Sequence, residues 1–445
     1  MPCCFTRGAP PRPRDGPWAW LVCFSAAIMN FMHFGFSQSF GVFLPVLGDY
    51  FNEDKEKTAW VGSIAIAFTF LMSPVAVRMS QRFGLRLVTM CSGALLVISL
   101  VTSSFVEDLV YLYFSYGVLF GIGASSILSN SFLVCVWYFS PGKRSLAMGI
   151  AASGGSIGIM AIGPTMQALI DSVGWRNAFR AMAAFASLVC VLGATYDPNV
   201  EHRTVDQRPR FRNICEIVDI SVYKNSTYTI GTITVVLAYF GFFIPNLHIV
   251  RYAEDLLISG TKASQLFIYM GICSTVFRVF MGRLLDLKWL TPLQGVQVSA
   301  LIMGLSIIAL GSVSSYYHFV IFAVFFGSGS GAFVITQAVM FQTSLETKKS
   351  AIGLGMGYFC LSVTVVSGAP TVGFIADQLG SYIPSFYVIG GILLFAAVFP
   401  CALYCYRFLQ KKGTEESVHE SDETDWGLQG LEIERLIEVS RETVL

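Results

Sequence analysis

Apolar runs of 18 or more residues recur from one end of this chain to the other, each separated from the next by a short polar break. A helix of that length is what a hydrocarbon core of about 30 Å requires. The pattern predicts twelve spans, near residues 18–47, 58–77, 84–105, 109–137, 145–170, 177–196, 226–252, 263–286, 291–313, 316–342, 350–376 and 383–408. A soluble protein hides one or two such helices, not a dozen. The expected class is therefore an all-α polytopic membrane protein. The first run is too long for a signal-peptide core and lacks a preceding cleavage pattern, so it is expected to be retained.

Charge adds orientation. The 445 residues are 54% hydrophobic and only 13% charged, against about 25% charged in a typical soluble domain. Of 29 lysines and arginines, 22 fall in the two termini and in or beside alternate breaks, and six in or beside the other breaks. The remaining one is Arg278. By the positive-inside bias both termini are expected to be cytoplasmic; the membrane is expected to be the plasma membrane. With a net charge of +1 no nucleic-acid partner is expected. None of the eleven cysteines falls in an outer break, which argues against an extracellular disulfide framework. Cys3 and Cys4 are either plain tail cysteines or acceptors for palmitoylation.

The least hydrophobic internal stretch divides the spans six and six. The predicted organisation is a cytoplasmic tail over 1–17, a six-helix bundle over 18–196, a linker over 197–225, a second six-helix bundle over 226–408 and an acidic tail over 409–445. The halves also match at a constant offset of 206 residues: Phe120-Gly121 with Phe326-Gly327, Lys143 with Lys349, Gly149 with Gly355, Pro164-Thr165 with Pro370-Thr371, Asp171 with Asp377. A duplicated six-helix unit is how many secondary transporters are built, with two bundles rocking about a site at their interface. The acidic tail is expected to lack a packed core. Its last residues, Glu442-Thr443-Val444-Leu445, fit a strand-addition ligand for a PDZ domain.

Arg278 stands alone in the apolar run ICSTVFRVFMG (272–282). A charge at membrane depth costs about 2.5–3.5 kcal/mol on insertion scales, and no Asp or Glu lies inside any span to offset it. It sits roughly 12 Å from the nearer helix end, far for snorkelling. Arg stays protonated and presents a planar fork suited to a carboxylate. Either it holds an anionic solute in a water-lined cavity, or backbone carbonyls and hydroxyls hold it for structure alone. Asn30, His33 and Ser37 recur at helical spacing on the first span, with Gln38 at the edge of that face, and this face is expected to line the cavity. His33 and His248 are titratable groups within spans, or packing residues. Lys143, Arg144, Lys348 and Lys349 either carry the topology signal alone or also pair with Asp286 and Glu346 in one state of a rocking cycle.

Several stretches resemble the monocarboxylate transporters of the major facilitator superfamily. DGPWAW (15–20) is similar to that family's opening motif, with Pro17 and Ala19 in place of glycines. YFSPGKRSLAMGIAASGG (138–155) is similar to its second motif, with a loop one residue longer. DISVYKN (219–225), AYFGFFIP (238–245) and PTVGFIADQLGSYIPSFYVIGG (370–391) also resemble family sequences. The resemblance covers about residues 15–408 and implies the major facilitator fold. It also implies that Arg278, in FRVFMG, binds the substrate carboxylate. Trp18 and Trp20 are suited to the headgroup level as interfacial anchors.

Two departures bear on mechanism. Proton-coupled members carry a lysine on the first span and an aspartate one turn before the arginine, and here those positions are Gln38 and Ser274. The resemblance then implies facilitated carriage of a small carboxylate or zwitterionic solute. Proton-coupled symport and a non-transporting sensor on the same scaffold stay open, and radiolabelled uptake discriminates carrier from sensor. An enzyme would need nucleophile, carboxylate or metal-ligand clusters at membrane depth, and none is visible. No cofactor or metal is expected.

Overall fold

The structure, a computed structural model, describes residues 12–197, 218–243, 249, 252–253, 256–313, 315–347, 349–379 and 383–403. Cys3, Cys4, His248, Lys348 and the C-terminal tail lie outside the described residues. Within them the protein is helical, and each predicted span has its helix. The first half comprises α1 (Pro17–Phe51), α2 (Lys55–Leu71 continued by Ser73–Phe83), α3 (Leu85–Ser103), α4 (Leu109–Tyr138), α5 (Arg144–Val173) and α6 (Trp175–Ala186 continued by Leu188–Gly193). The second comprises α7 (Ser226–Phe242), α8 (Gly260–Asp286), α9 (Pro292–Leu310), α10 (Tyr316–Thr343), α11 (Ser350–Leu379) and α12 (Ile383–Leu403). Eight of these helices are individually long and apolar enough to cross a membrane, and α2 makes a ninth when its two parts are taken together.

Local chemistry explains the irregularities. The predicted second span ended at residue 77, but α2 runs on to Phe83 with a 48° bend at Met72. Pro74 follows the bend; it has no N–H to give and its ring collides with the carbonyl four residues earlier. Within α4, residues Tyr113–Phe120 adopt a π-helical pitch. There Tyr116 donates to the Phe36 carbonyl of α1 at 3.1 Å.

The two halves meet along α5 with α8 and along α2 with α11. Both contacts rest on the same duplicated glycine. A β-carbon built on Gly149 of α5 would lie 2.5 Å from the Arg278 carbonyl oxygen on α8. One built on Gly355 of α11, 206 residues later, would lie 3.0 Å from the Pro74 Cα on α2. The repeat read in the sequence is thus a repeat of interface chemistry. Small residues at these points let two backbones touch.

At the basic end of the molecule the two motif segments are tied to each other. The Asp15 carboxylate accepts from the Ser140 amide at 3.0 Å, and the Asp15 amide donates to the Tyr138 carbonyl at 3.0 Å. The Arg12 guanidinium lies 4.1 Å from the Trp18 ring centre and bonds Asp197 at 3.2 Å. Trp20 meets Phe139 edge-on at 5.0 Å. The opening motif thereby clamps the start of α1 to the α4–α5 turn.

Candidate functional site

A cavity of about 950 Å³, its open mouth included, lies between the halves. Its walls come from α1, α2, α4 and α5 on one side and from α7, α8, α10 and α11 on the other. Arg278 is the one charged side chain among the described lining residues. It is 7% exposed, which puts the guanidinium in the wall rather than at a surface. Its Nη1 donates to the Ala152 carbonyl of α5, a short bond that crosses from one bundle to the other. Its Nε has no partner. A buried donor without an acceptor costs on the order of 1–3 kcal/mol, more when charged, so this atom favours an incoming anion. The phenols of Tyr239 and Tyr358 lie within electrostatic reach of the guanidinium.

Gln38 and Ser274 both line the cavity. The Ser274 hydroxyl faces the Ser156 hydroxyl of α5 at 3.4 Å. Neither position carries a titrating group. One turn along, the Ser153 hydroxyl donates to the Gly149 carbonyl at 2.8 Å and approaches the Thr275 carbonyl at 3.3 Å.

The predicted α1 face is corrected. Asn30, His33 and Ser37 are buried and do not line the cavity; Phe34 and Gln38 do. Asn30 donates to the Ala151 carbonyl of α5 at 3.0 Å and its own carbonyl accepts from Ser131 of α4 at 3.4 Å. His33 lies about 100° round the helix from Phe34, which is enough to turn it out of the cavity. Its ring packs on Phe34 at 4.6 Å and Nδ1 has no partner. Spacing identified a polar face correctly but not which neighbour covers it.

The charges at the basic end are arranged differently from the expected side-chain pairs. Asp286, the last residue of α8, accepts from the backbone amides of Ser145 and Leu146, each at 2.9 Å. These are first-turn amides of α5, which have no partner within their own helix. Lys143 is the residue before α5 and Arg144 its first, so both sit beside the capped terminus. Lys349 donates to the Ser221 hydroxyl at 2.8 Å rather than reaching Glu346.

Asp219, missed in the sequence, lies 3.8 Å from Arg78 of α2. Partial burial pushes its carboxyl up, but bonds from Ser221 and the charges of Lys349 and Arg78 outweigh that and hold it below the usual carboxylate range. Gln337 of α10 was also missed; it donates to the Tyr239 hydroxyl at 2.8 Å while its carbonyl oxygen stays unpartnered in the cavity wall. An amide in the middle of an apolar span was the signal for it.

A sequence model of the Major Facilitator Superfamily matches residues 26–353 and 231–428. Rat monocarboxylate transporter 13 is 30% identical over 86% of this chain and 88% of its own length. The chain belongs to the monocarboxylate transporter family of the major facilitator superfamily. Other members of that family align comparably: chicken monocarboxylate transporter 3 is 27% identical over 89% of this chain and 80% of its own. Zebrafish monocarboxylate transporter 10 is 27% identical over 92% and 83%. Among solved structures, the human organic anion transporter MFSD10 superposes with a TM-score of 0.70 at 14% identity, covering 86% of this chain and all of the other. The E. coli fucose:proton symporter superposes at 0.64 with 10% identity, over 86% and 97%. Those two likenesses concern the fold alone. The monocarboxylate transporter assignment makes this chain a multi-pass membrane transporter and not an enzyme.

Proposed function

We propose that this transporter carries small organic carboxylates across the plasma membrane by alternating access, as a facilitated rather than a proton-coupled carrier. The observation that carries the reading is Arg278: a buried guanidinium in the wall of an inter-bundle cavity, half satisfied by Ala152 and with Nε unpartnered. A substrate carboxylate would complete that donor set, assisted by Gln38 and Ser274. Because Arg278 belongs to α8 and its acceptor to α5, occupancy would be felt by both bundles at once. Both termini are assigned to the cytoplasm, which makes the end bearing Asp286 the inner gate; the bonds from Asp286 to the start of α5 support a closed state there. The sequence Thr443-Val444-Leu445 supports a PDZ-domain partner there, testable by pull-down with Leu445 deleted.

The test is uptake of radiolabelled carboxylates into proteoliposomes holding the full chain. Saturable uptake is expected, with Arg278→Ala raising KM by tenfold or more at equal protein incorporation. Uptake with unchanged KM in Arg278→Ala would refute the anion site. A folded protein with no uptake of any carboxylate would favour the sensor reading.

A further inference from the structure

The cavity has a strongly lopsided chemistry. Nine of the lining residues are Phe or Tyr, counted over the described ones, and they come from both bundles. Phe34 and Phe70 contribute from the first half, Phe242, Phe267 and Phe326 from the second. Against this apolar wall stand one cation and a few neutral polar groups. A carboxylate of three carbons held on Arg278 would leave most of these rings facing water. Ring faces hold water poorly, whereas an apolar body placed against them releases it.

The second constraint is charge. In an α-amino acid the ammonium is two bonds from the carboxylate carbon, so a carboxylate on Arg278 would bring that cation beside the guanidinium. Such a pair of like charges calls for an acidic partner, and no Asp or Glu is among the described residues lining the cavity. The neutral acceptors in the wall, the unpartnered carbonyl of Gln337 among them, do not offset a full positive charge.

From these two constraints we infer that the substrate class is monoanionic carboxylates with an aromatic or comparably bulky apolar body and no α-ammonium. This rests on the carboxylate site of the preceding section and narrows it. Lactate-sized acids lack the body, and amino acids of the right shape carry the wrong charge.

Four matched probes separate the terms: phenylpropionate, propionate, phenylalanine and phenylpropanol. Each is titrated against the full-length protein in detergent, with the rise in melting temperature read as binding. Phenylpropionate should half-saturate at a concentration at least tenfold below that of propionate, and at least tenfold below phenylalanine and phenylpropanol. In Val334→Phe, which fills the cavity from α10, the advantage over propionate should fall at least threefold. The proposal is overturned if phenylpropionate and propionate agree within threefold, if phenylalanine binds as well as phenylpropionate, or if Val334→Phe folds and leaves the ratio unchanged. Should that variant not fold, the comparison in the native protein decides alone. Loss of propionate and phenylpropionate binding alike in Arg278→Ala, with no advantage for the phenyl body in the native protein, would leave the carboxylate site standing and sink only this narrowing. Equal binding of both with and without Arg278 would instead remove the site itself.

Discussion

The Asp286 carboxylate of one bundle caps the first turn of α5 in the other by accepting the Ser145 amide at 2.9 Å. With the parallel bond from Leu146, it ties the end of α8 to the start of α5 across the inter-bundle boundary. The fastening combines a helix cap with a negative charge at the positive end of a helix dipole, worth about 0.5–2 kcal/mol together. Asp286→Asn keeps the shape but removes the charge and one acceptor. It is expected to shift the equilibrium toward opening at the basic end by roughly twofold to thirtyfold. The check is the labelling rate of a cysteine placed at Ser153, which faces that boundary; an unchanged rate would show that the cap does not bias the gate.

Gly149 adds a steric element to the same boundary. Its missing side chain leaves room for the Arg278 carbonyl, and any β-carbon there would sit 2.5 Å from that oxygen. Backbone on both sides leaves no flexible side chain to give way, so Gly149→Ala should prevent α5 and α8 from closing at this point. Gly355→Ala, whose nearest contact is the Pro74 Cα at 3.0 Å, should have the same sense and a smaller effect. Transport should fall further in Gly149→Ala than in Gly355→Ala, at matched protein levels. The reverse order would mean that the two repeats do not carry the closure in proportion to their contact.

Arg278→Lys separates charge from shape. A lysine keeps the cation but cannot hold the Ala152 carbonyl and a carboxylate with the two edges of one planar group. Hydrogen bonds to charged groups are worth about 1.5–3 kcal/mol, so losing one of them predicts KM raised roughly tenfold to a hundredfold. Uptake kinetics in proteoliposomes measure this. A KM within twofold of the native value would mean that only the charge is used.

How far the sequence reached depended on whether the signal was local. Apolar run length located the helices because a membrane core imposes it on each span independently. Arg278 was legible for the same reason, since a charge inside such a run stands out without reference to any neighbour. The orientation of α1 was not, because helical spacing groups Asn30 with His33 but does not say that Asn30 is turned onto the Ala151 carbonyl. Asp219 was hidden in a polar linker, and only folding brings it 3.8 Å from Arg78, a residue 141 positions earlier. The bend at Met72 was readable from Pro74, yet the apolar run continued through it and masked the break.

Coupling is the last prediction. A proton-driven carrier needs a group whose charge changes as the cavity switches sides, and that group must meet the substrate or its ligand. At the two family positions this chain has Gln38 and Ser274, both in the cavity wall and neither titratable in the accessible range. Arg278 stays charged throughout. His33, the titratable alternative on α1, is 2% exposed and turned out of the cavity onto Phe34. Uptake should therefore follow the substrate gradient and change less than twofold when an inward proton gradient is imposed. His33→Gln should behave the same way. The measurement is initial-rate uptake into proteoliposomes with and without that gradient, in the native protein and the variant. Strong stimulation abolished by His33→Gln would assign coupling to the histidine despite its burial. Strong stimulation that survives the change would place the proton on a group other than the cavity wall.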